Sequence, residues 1–208
     1  MQPGSALKIA VVAIGLLALG PARPAVAGND PTVMLDVSRQ VPRIERMMRE
    51  LTQAVADDPI LMAGLRQASQ DNDRLSDAAI AARDDAWRLQ AKRGRGALLD
   101  AVLTNPMARQ LALLRLPRAA LISDLMMMDD RGALVAATRL SSDYDQSDEP
   151  KFNRTFSQGA GGLTIEEAAY DESSDDYVVA ASATLADPVS GLPLGVLTAN
   201  ISLANLQR

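Results

Sequence analysis

The stretch LMMMDDRGALVAAT, residues 125–138, decides the fold. An apolar run over 121–128 stops at Asp129, Asp130, Arg131 and Gly132, and a second apolar run follows over 134–138. Two such runs joined by an acidic, glycine-closed turn predict an antiparallel hairpin. Thioethers are soft metal ligands, but side chains in a strand face alternate sides and methionine fills irregular cores. Met126, Met127 and Met128 are therefore expected to pack rather than to ligate.

Towards the C-terminus three more strands are expected, over 163–169, 177–185 and 195–201, separated by the acidic turn 171–176 and by the turn 187–191. Between the second and third strands, 149–157 reads as a short helix ending near Gly159. In the last strand Leu197, Ala199, Ile201 and Leu203 point one way, and Thr198, Asn200 and Ser202 the other. Val179, Ala181, Ala183 and Leu185 oppose Ala180, Ser182 and Thr184 in the same manner. One face is core. The other, small and polar, is either solvated, the usual outcome for an antiparallel sheet, or the floor of a cavity.

Upstream of about residue 116 the apolar spacing is helical. Met34, Val37, Val41, Ile44, Met48, Leu51 and Val55 fall on one stripe, and Pro42 either opens the helix or kinks a longer one. Further helices are expected over 59–68, 75–91, 96–103 and 105–114, with the loop at 93–96 and Trp87 packed against a neighbouring helix. Arg43, Arg46 and Arg49, with Glu45 and Glu50, form a solvated face beside the stripe. The stripe itself can cover its own sheet or pair with a second copy, so a homodimer is possible. The sheet takes precedence, because an isolated helix of this size is marginal.

The 208 residues contain no cysteine and no histidine, which excludes a disulfide framework, a thiol nucleophile, a His-bearing triad, and zinc or haem sites with nitrogen or sulfur ligands. No cofactor is expected. Carboxylates, lysines and hydroxyls remain, but no serine stands in a strained, glycine-flanked turn, and adjacent acids such as Asp129 and Asp130 cannot face each other across a substrate. An enzyme is not expected. Asp143, Asp145 and Ser147 have the spacing that begins a calcium loop, yet Asp148 stands where glycine is needed and Arg154 where a bidentate glutamate is needed, so no metal site is expected.

At the N-terminus, Lys8 precedes the uncharged run IAVVAIGLLALG at 9–20, then Pro21, Pro24 and the small-residue triplet Ala25, Val26, Ala27. This is the layout of a signal peptide cleaved before Gly28, and the run is too short to span a membrane. Expected are a signal peptide at 1–27, a helical region at 28–116 and a sheet region at 117–208, the last two forming one globular unit. Cleavage removes Lys8 and Arg23 and leaves 19 basic against 26 acidic side chains. Such an acidic product, periplasmic or secreted and without stable membrane insertion, is not expected to bind nucleic acid.

The hairpin at 125–138, followed by Ser142, Asp143 and Tyr144, then Asp148, Glu149 and Pro150, then Tyr170 to Ser173, and finally Gly195, Val196 and Leu197, resembles the Cache family of PAS-like extracytoplasmic sensor domains. The resemblance covers about 85 residues of the C-terminal half, from five short pieces in the right order. It implies an α+β fold of the PDC type, with long N-terminal helices packed on a five-stranded antiparallel sheet, and a small ligand held between sheet and loops. It also implies a site. Tyr144 stands where amino-acid-binding relatives have a pocket tyrosine, and Asp171 where they have an aspartate for the ligand amine. Glu149 occupies the arginine position, Lys151 the first aromatic position and Phe152 the second. Loss of that arginine removes the fork that clamps a carboxylate, which points to a neutral or cationic ligand.

The function expected is a small-molecule-binding Cache-like sensor that reports occupancy to a separate signalling protein. The alternative is an exported adaptor that docks a partner through the same fold without a ligand. Export has a direct check: mass spectrometry of protein recovered outside the cytoplasm should find Gly28 at the N-terminus, and a membrane-sedimenting chain that retains Met1 would contradict it.

Overall fold

The computed structural model describes residues 37–171 and 175–208. The expected signal peptide, Met34 and most of the acidic turn at 172–174 lie outside the described residues, and all that follows belongs to the unit Pro31–Arg208.

After a 3-10 turn at Ser38–Gln40, five helices precede the sheet: α1 (Val41–Asp57), α2 (Pro59–Asp73), α3 (Asp77–Arg93), α4 (Ala97–Leu103) and α5 (Pro106–Arg115). Their starts follow local chemistry. Pro42 sits in the first turn of α1, where a missing N–H costs nothing, so the helix begins there rather than kinking. Asp58 accepts from the N–H groups of Ile60 and Leu61 at 2.8 and 3.1 Å, and Asn105 accepts from Ala108 N at 2.8 Å, each followed by proline at the first helical position. Gly94, with φ of 68°, closes α3 in the left-handed conformation.

Strands β1 (Ile122–Asp129) and β2 (Leu134–Ala137) form the expected hairpin. Helix α6 (Pro150–Phe156) follows, then β3 (Leu163–Ile165), β4 (Ala169–Asp171), β5 (Asp176–Ala186), β6 (Pro193–Ser202) and the single-turn helix α7 (Leu203–Leu206). The sheet is antiparallel with order β2-β1-β6-β5-β3, and β4 also pairs with β5. The third strand of the sequence reading is thus two short ones. Ile165 faces Ala181 and Ala169 faces Val178, so four steps on the edge oppose three on β5, and the extra residue bulges at 166–168. Leu203 does not continue the last strand. It opens α7, where Ser202 Oγ accepts from Asn205 N at 3.3 Å.

One sheet face carries Leu125, Met127, Val179, Ala181, Leu197, Ala199 and Ile201 and packs on Ile44, Met48, Leu51 and Val55 of α1 with Leu61, Leu65 and Leu111. The α1 stripe is therefore spent on its own sheet. Met126 and Met128 turn the other way, into a second cluster with Trp87, Leu134, Tyr144, Phe152 and Val196. The small polar face is not solvated where α6 crosses it. Ser182, Thr184 and Thr198 are buried, Ser182 Oγ and Thr198 Oγ1 lie 2.8 Å apart, and Thr184 Oγ1 donates to the Thr155 carbonyl at 3.0 Å. Small hydroxyl side chains let a helix approach closely while satisfying one another.

The hairpin turn is locked to the helices. Asp129, fully buried, accepts from the N–H groups of Arg131 and Ala133 at 3.0 and 2.9 Å and from Asn72 Nδ2 at 2.5 Å. Arg131 donates to the carbonyls of Asn72 and Leu75 and to Asp77. Burial pushes the Asp129 carboxyl up to about 6, against the pull of Asn72 and the two backbone donors, with Asp130 adding to the rise. The folded protein then holds this proton more tightly than the unfolded chain, so the contribution of Asp129 to stability is full below about pH 4 and is lost as pH rises through 6. Urea melts should show the stability of the wild type minus that of Asp129→Asn falling by about 2–3 kcal/mol between pH 4 and 7. A constant difference would contradict this account.

Candidate functional site

Residues 138–149 link β2 to α6 with no helix or strand of their own, and twelve such residues need acceptors for their backbone donors. Helix α3 supplies the acceptor for two of these donors and one donor for a loop carbonyl. Asp84 Oδ1 accepts from Tyr144 N at 2.8 Å and from Asp145 N at 3.2 Å, and Trp87 Nε1 donates to the Ser141 carbonyl at 3.0 Å. Arg88 spans Asp84 at 2.6 Å and Asp143 at 2.8 Å. The Asp143 carboxyl sits below its ordinary value, through the Ser142 hydroxyl first and Arg88 second, against partial burial. Asp145 Oδ1 accepts from Ser147 N at 3.0 Å. The acids with calcium-loop spacing are thus engaged within the protein.

The clamped loop forms one wall of a cavity of about 360 Å³ on the sheet face away from α1. Arg139, Leu140, Ser141 and Ser142 line it from the loop, Asp124 and Met126 from β1, Asn200 from β6, Lys151 from α6 and Asp171 from β4. Asp124 accepts from Thr138 Oγ1 at 2.6 Å, and the same oxygen takes the Leu125 N–H at 2.9 Å. Burial raises the Asp124 carboxyl above its ordinary value, while the Thr138 bond and the charge of Arg139 pull the other way. The wall therefore offers two acids and two bases across a space large enough for a small polar molecule.

The residues marked out by the sequence divide among three places. Lys151 and Asp171 share this cavity. Tyr144 is buried beneath the loop, its ring centroid 6.2 Å from that of Trp87 and its hydroxyl accepting from Arg83 Nη1 at 3.2 Å, and it lines a different cleft beside α3 and α4. Phe152 is buried against the sheet and stacked on Phe156 at 5.3 Å. Glu149 precedes α6, where its carbonyl accepts from Phe152 N and Asn153 N. Its carboxylate adds to the burial-driven rise of the Glu166 carboxyl, which Lys151 opposes. Arg139 and Asp124 were missed. Arg139 follows Thr138, one residue beyond the quoted hairpin, and the signal for Asp124 was an acid inside an otherwise apolar strand.

No family model matches the chain, and no curated protein matches it. Solved structures it is similar to include sensor and ligand-binding domains of histidine kinases and chemoreceptors. One is the sensor domain of the Vibrio cholerae histidine kinase DctB, at 14% identity and TM-score 0.40 over 85% of this chain and 58% of that one. Another is the ligand-binding domain of the Campylobacter jejuni chemoreceptor Tlp3 in complex with 4-methylisoleucine, at 14% identity and TM-score 0.40 over 86% of this chain and 66% of that one. A third is the ligand-binding domain of the Pseudomonas aeruginosa chemoreceptor PctC in complex with GABA, at 20% identity and TM-score 0.38 over 59% and 60%. This chain spans 58–66% of these three domains.

If Phe152 serves packing, its truncation should be felt without any ligand. Phe152→Ala is expected to cost about 3–5 kcal/mol in a urea melt, and a loss below 1 kcal/mol would show that the ring is not part of the core.

Proposed function

We propose that the protein is an extracytoplasmic sensor that binds a small polar molecule on the sheet face and reports occupancy to a separate signalling protein. The observation that carries this reading is the cavity where Asp124, Arg139, Lys151 and Asp171 converge from four different elements. A ligand bridging Lys151 and Asp171 would draw α6 and the edge strand towards the clamped loop. It would thereby favour one arrangement of these parts over another, which is sensing by population shift without chemistry. Among the described residues no helix is long and apolar enough to cross a membrane.

The reading of Glu149 as a lost arginine favours a neutral or cationic ligand, and Asp124 and Asp171 support it. Arg139 changes the balance, since it brings a guanidinium to the same wall. A neutral or dipolar molecule, with a donor for Asp171 and an acceptor for Arg139 or Lys151, is what we propose. The adaptor reading draws on a different observation: Phe152 and Thr155 fill the sheet face beneath α6, and a filled face can serve docking alone.

A thermal-shift screen of the exported form against amines, carboxylates, amino acids and dicarboxylates separates the two. A ligand at a hundred times its dissociation constant adds about 2.7 kcal/mol, or about 5–10 °C for a domain of this size. The sensor reading expects such a shift for at least one neutral or dipolar compound, with Asp171→Ala and Lys151→Ala each reducing it. No shift across the panel, or a shift indifferent to both substitutions, supports the adaptor instead.

A further inference from the structure

Helices α2 to α5 meet the outer edge of the sheet around a second cleft, of about 480 Å³, apart from the cavity described above. Its floor is apolar, with Leu98, Val102, Met107, Leu134 and Val135, and one end carries Arg83. Arg83 is half-buried, and its Nη1 donates to Asn72 Oδ1 at 2.8 Å and to the Tyr144 hydroxyl at 3.2 Å, two uncharged acceptors. Arg66, Arg88, Arg118 and Arg131 each meet a carboxylate, whereas among the described residues none lies within ion-pair distance of Arg83. Both of its bonds leave from Nη1, so Nε and Nη2 keep their donors. Asp71 also lines the cleft, but its carboxylate is exposed and engaged by Gln67 at 3.1 Å and Arg74 at 3.5 Å.

We propose that this cleft binds a monocarboxylate with a short apolar tail, independently of the ligand on the sheet face. A half-buried guanidinium held in place by two neutral acceptors presents a planar fork, and carboxylate is the group that matches two parallel N–H donors. The apolar floor takes the tail. Asp71 pairs with Arg74 at the surface, Asp129 is taken up by Asn72 and the turn, and Asp84 by Arg88 and the loop amides, so the charge of Arg83 is left for the ligand. Each methylene added to the tail should tighten binding about fourfold until the floor is covered.

Calorimetry on the purified protein with butanoate, hexanoate, octanoate and hexan-1-ol tests this. Affinity should rise along the carboxylate series, and hexan-1-ol should bind at least tenfold more weakly than hexanoate. Arg83→Gln should weaken hexanoate at least tenfold. Because that change also leaves Asn72 and Tyr144 with a different partner, a second variant is needed: Ala101→Phe, on an exposed position of α4 that lines the cleft, should abolish binding with the thermal midpoint unchanged. Asp171→Ala and Lys151→Ala should leave hexanoate affinity within twofold, which keeps this test separate from the sheet-face reading. Absence of binding by every carboxylate, equal binding of the alcohol, indifference to both cleft variants, or loss on Asp171→Ala would overturn the proposal.

Discussion

Burial of the α1 stripe against the sheet is the constraint on which the molecule rests. Ile44, Met48, Leu51 and Val55 find their cover in side chains at alternate positions of β1, β5 and β6, and those strands can offer that face only if their other residues point away. Fully burying each of these aliphatic groups contributes about 1.5–3 kcal/mol. The helix fixes which face of the sheet is core, and in doing so it assigns Asp124, Met126, Thr198 and Asn200 to the opposite side. The face that carries the candidate site is what remains after the hydrophobic face has been chosen.

Polar clamps then shape that second face. Asp84 is a buried side chain on α3, yet apart from Arg88 its partners are backbone N–H groups of a loop some sixty residues further along. Asp129 does the same for the hairpin turn, and Asn72 stands between it and Arg83. Leaving such donors unmet in the interior would cost about 1–3 kcal/mol each. Two helices, α2 and α3, therefore help to specify the path of segments that have no regular structure of their own.

Periodicity made the elements legible, and it could not make the site legible. The alternation in β5 and β6, the proline-led starts of α2 and α5 and the turn at 129–132 all report local geometry, and local geometry is what spacing encodes. The bulge at 166–168 escaped because register depends on the partner strand. The solvated reading of Ser182, Thr184 and Thr198 failed because covering by α6 is a tertiary event that a hydroxyl-rich strand does not announce. Lys151 and Asp171 line one cavity, whereas Tyr144 is drawn under the loop beside Asp84 and Trp87. Trp87 reads as helix packing and Asp84 carries no signal of its own, since a clamp between distant segments leaves no spacing to see.

The split edge formed by β3 and β4 has a consequence for how copies of the folded chain meet one another at high concentration. A long straight outer strand offers a row of unpaired amides on which another molecule can lay its own strand. Here that row is broken at 166–168, twisted by the extra residue, and flanked by Glu166, Glu167, Asp171, Asp175 and Asp176. An incoming strand would find only three residues in register before the ladder is interrupted, and would meet like charge as it approached. The irregularity that parted the third strand in two also keeps one copy from becoming the template for the next.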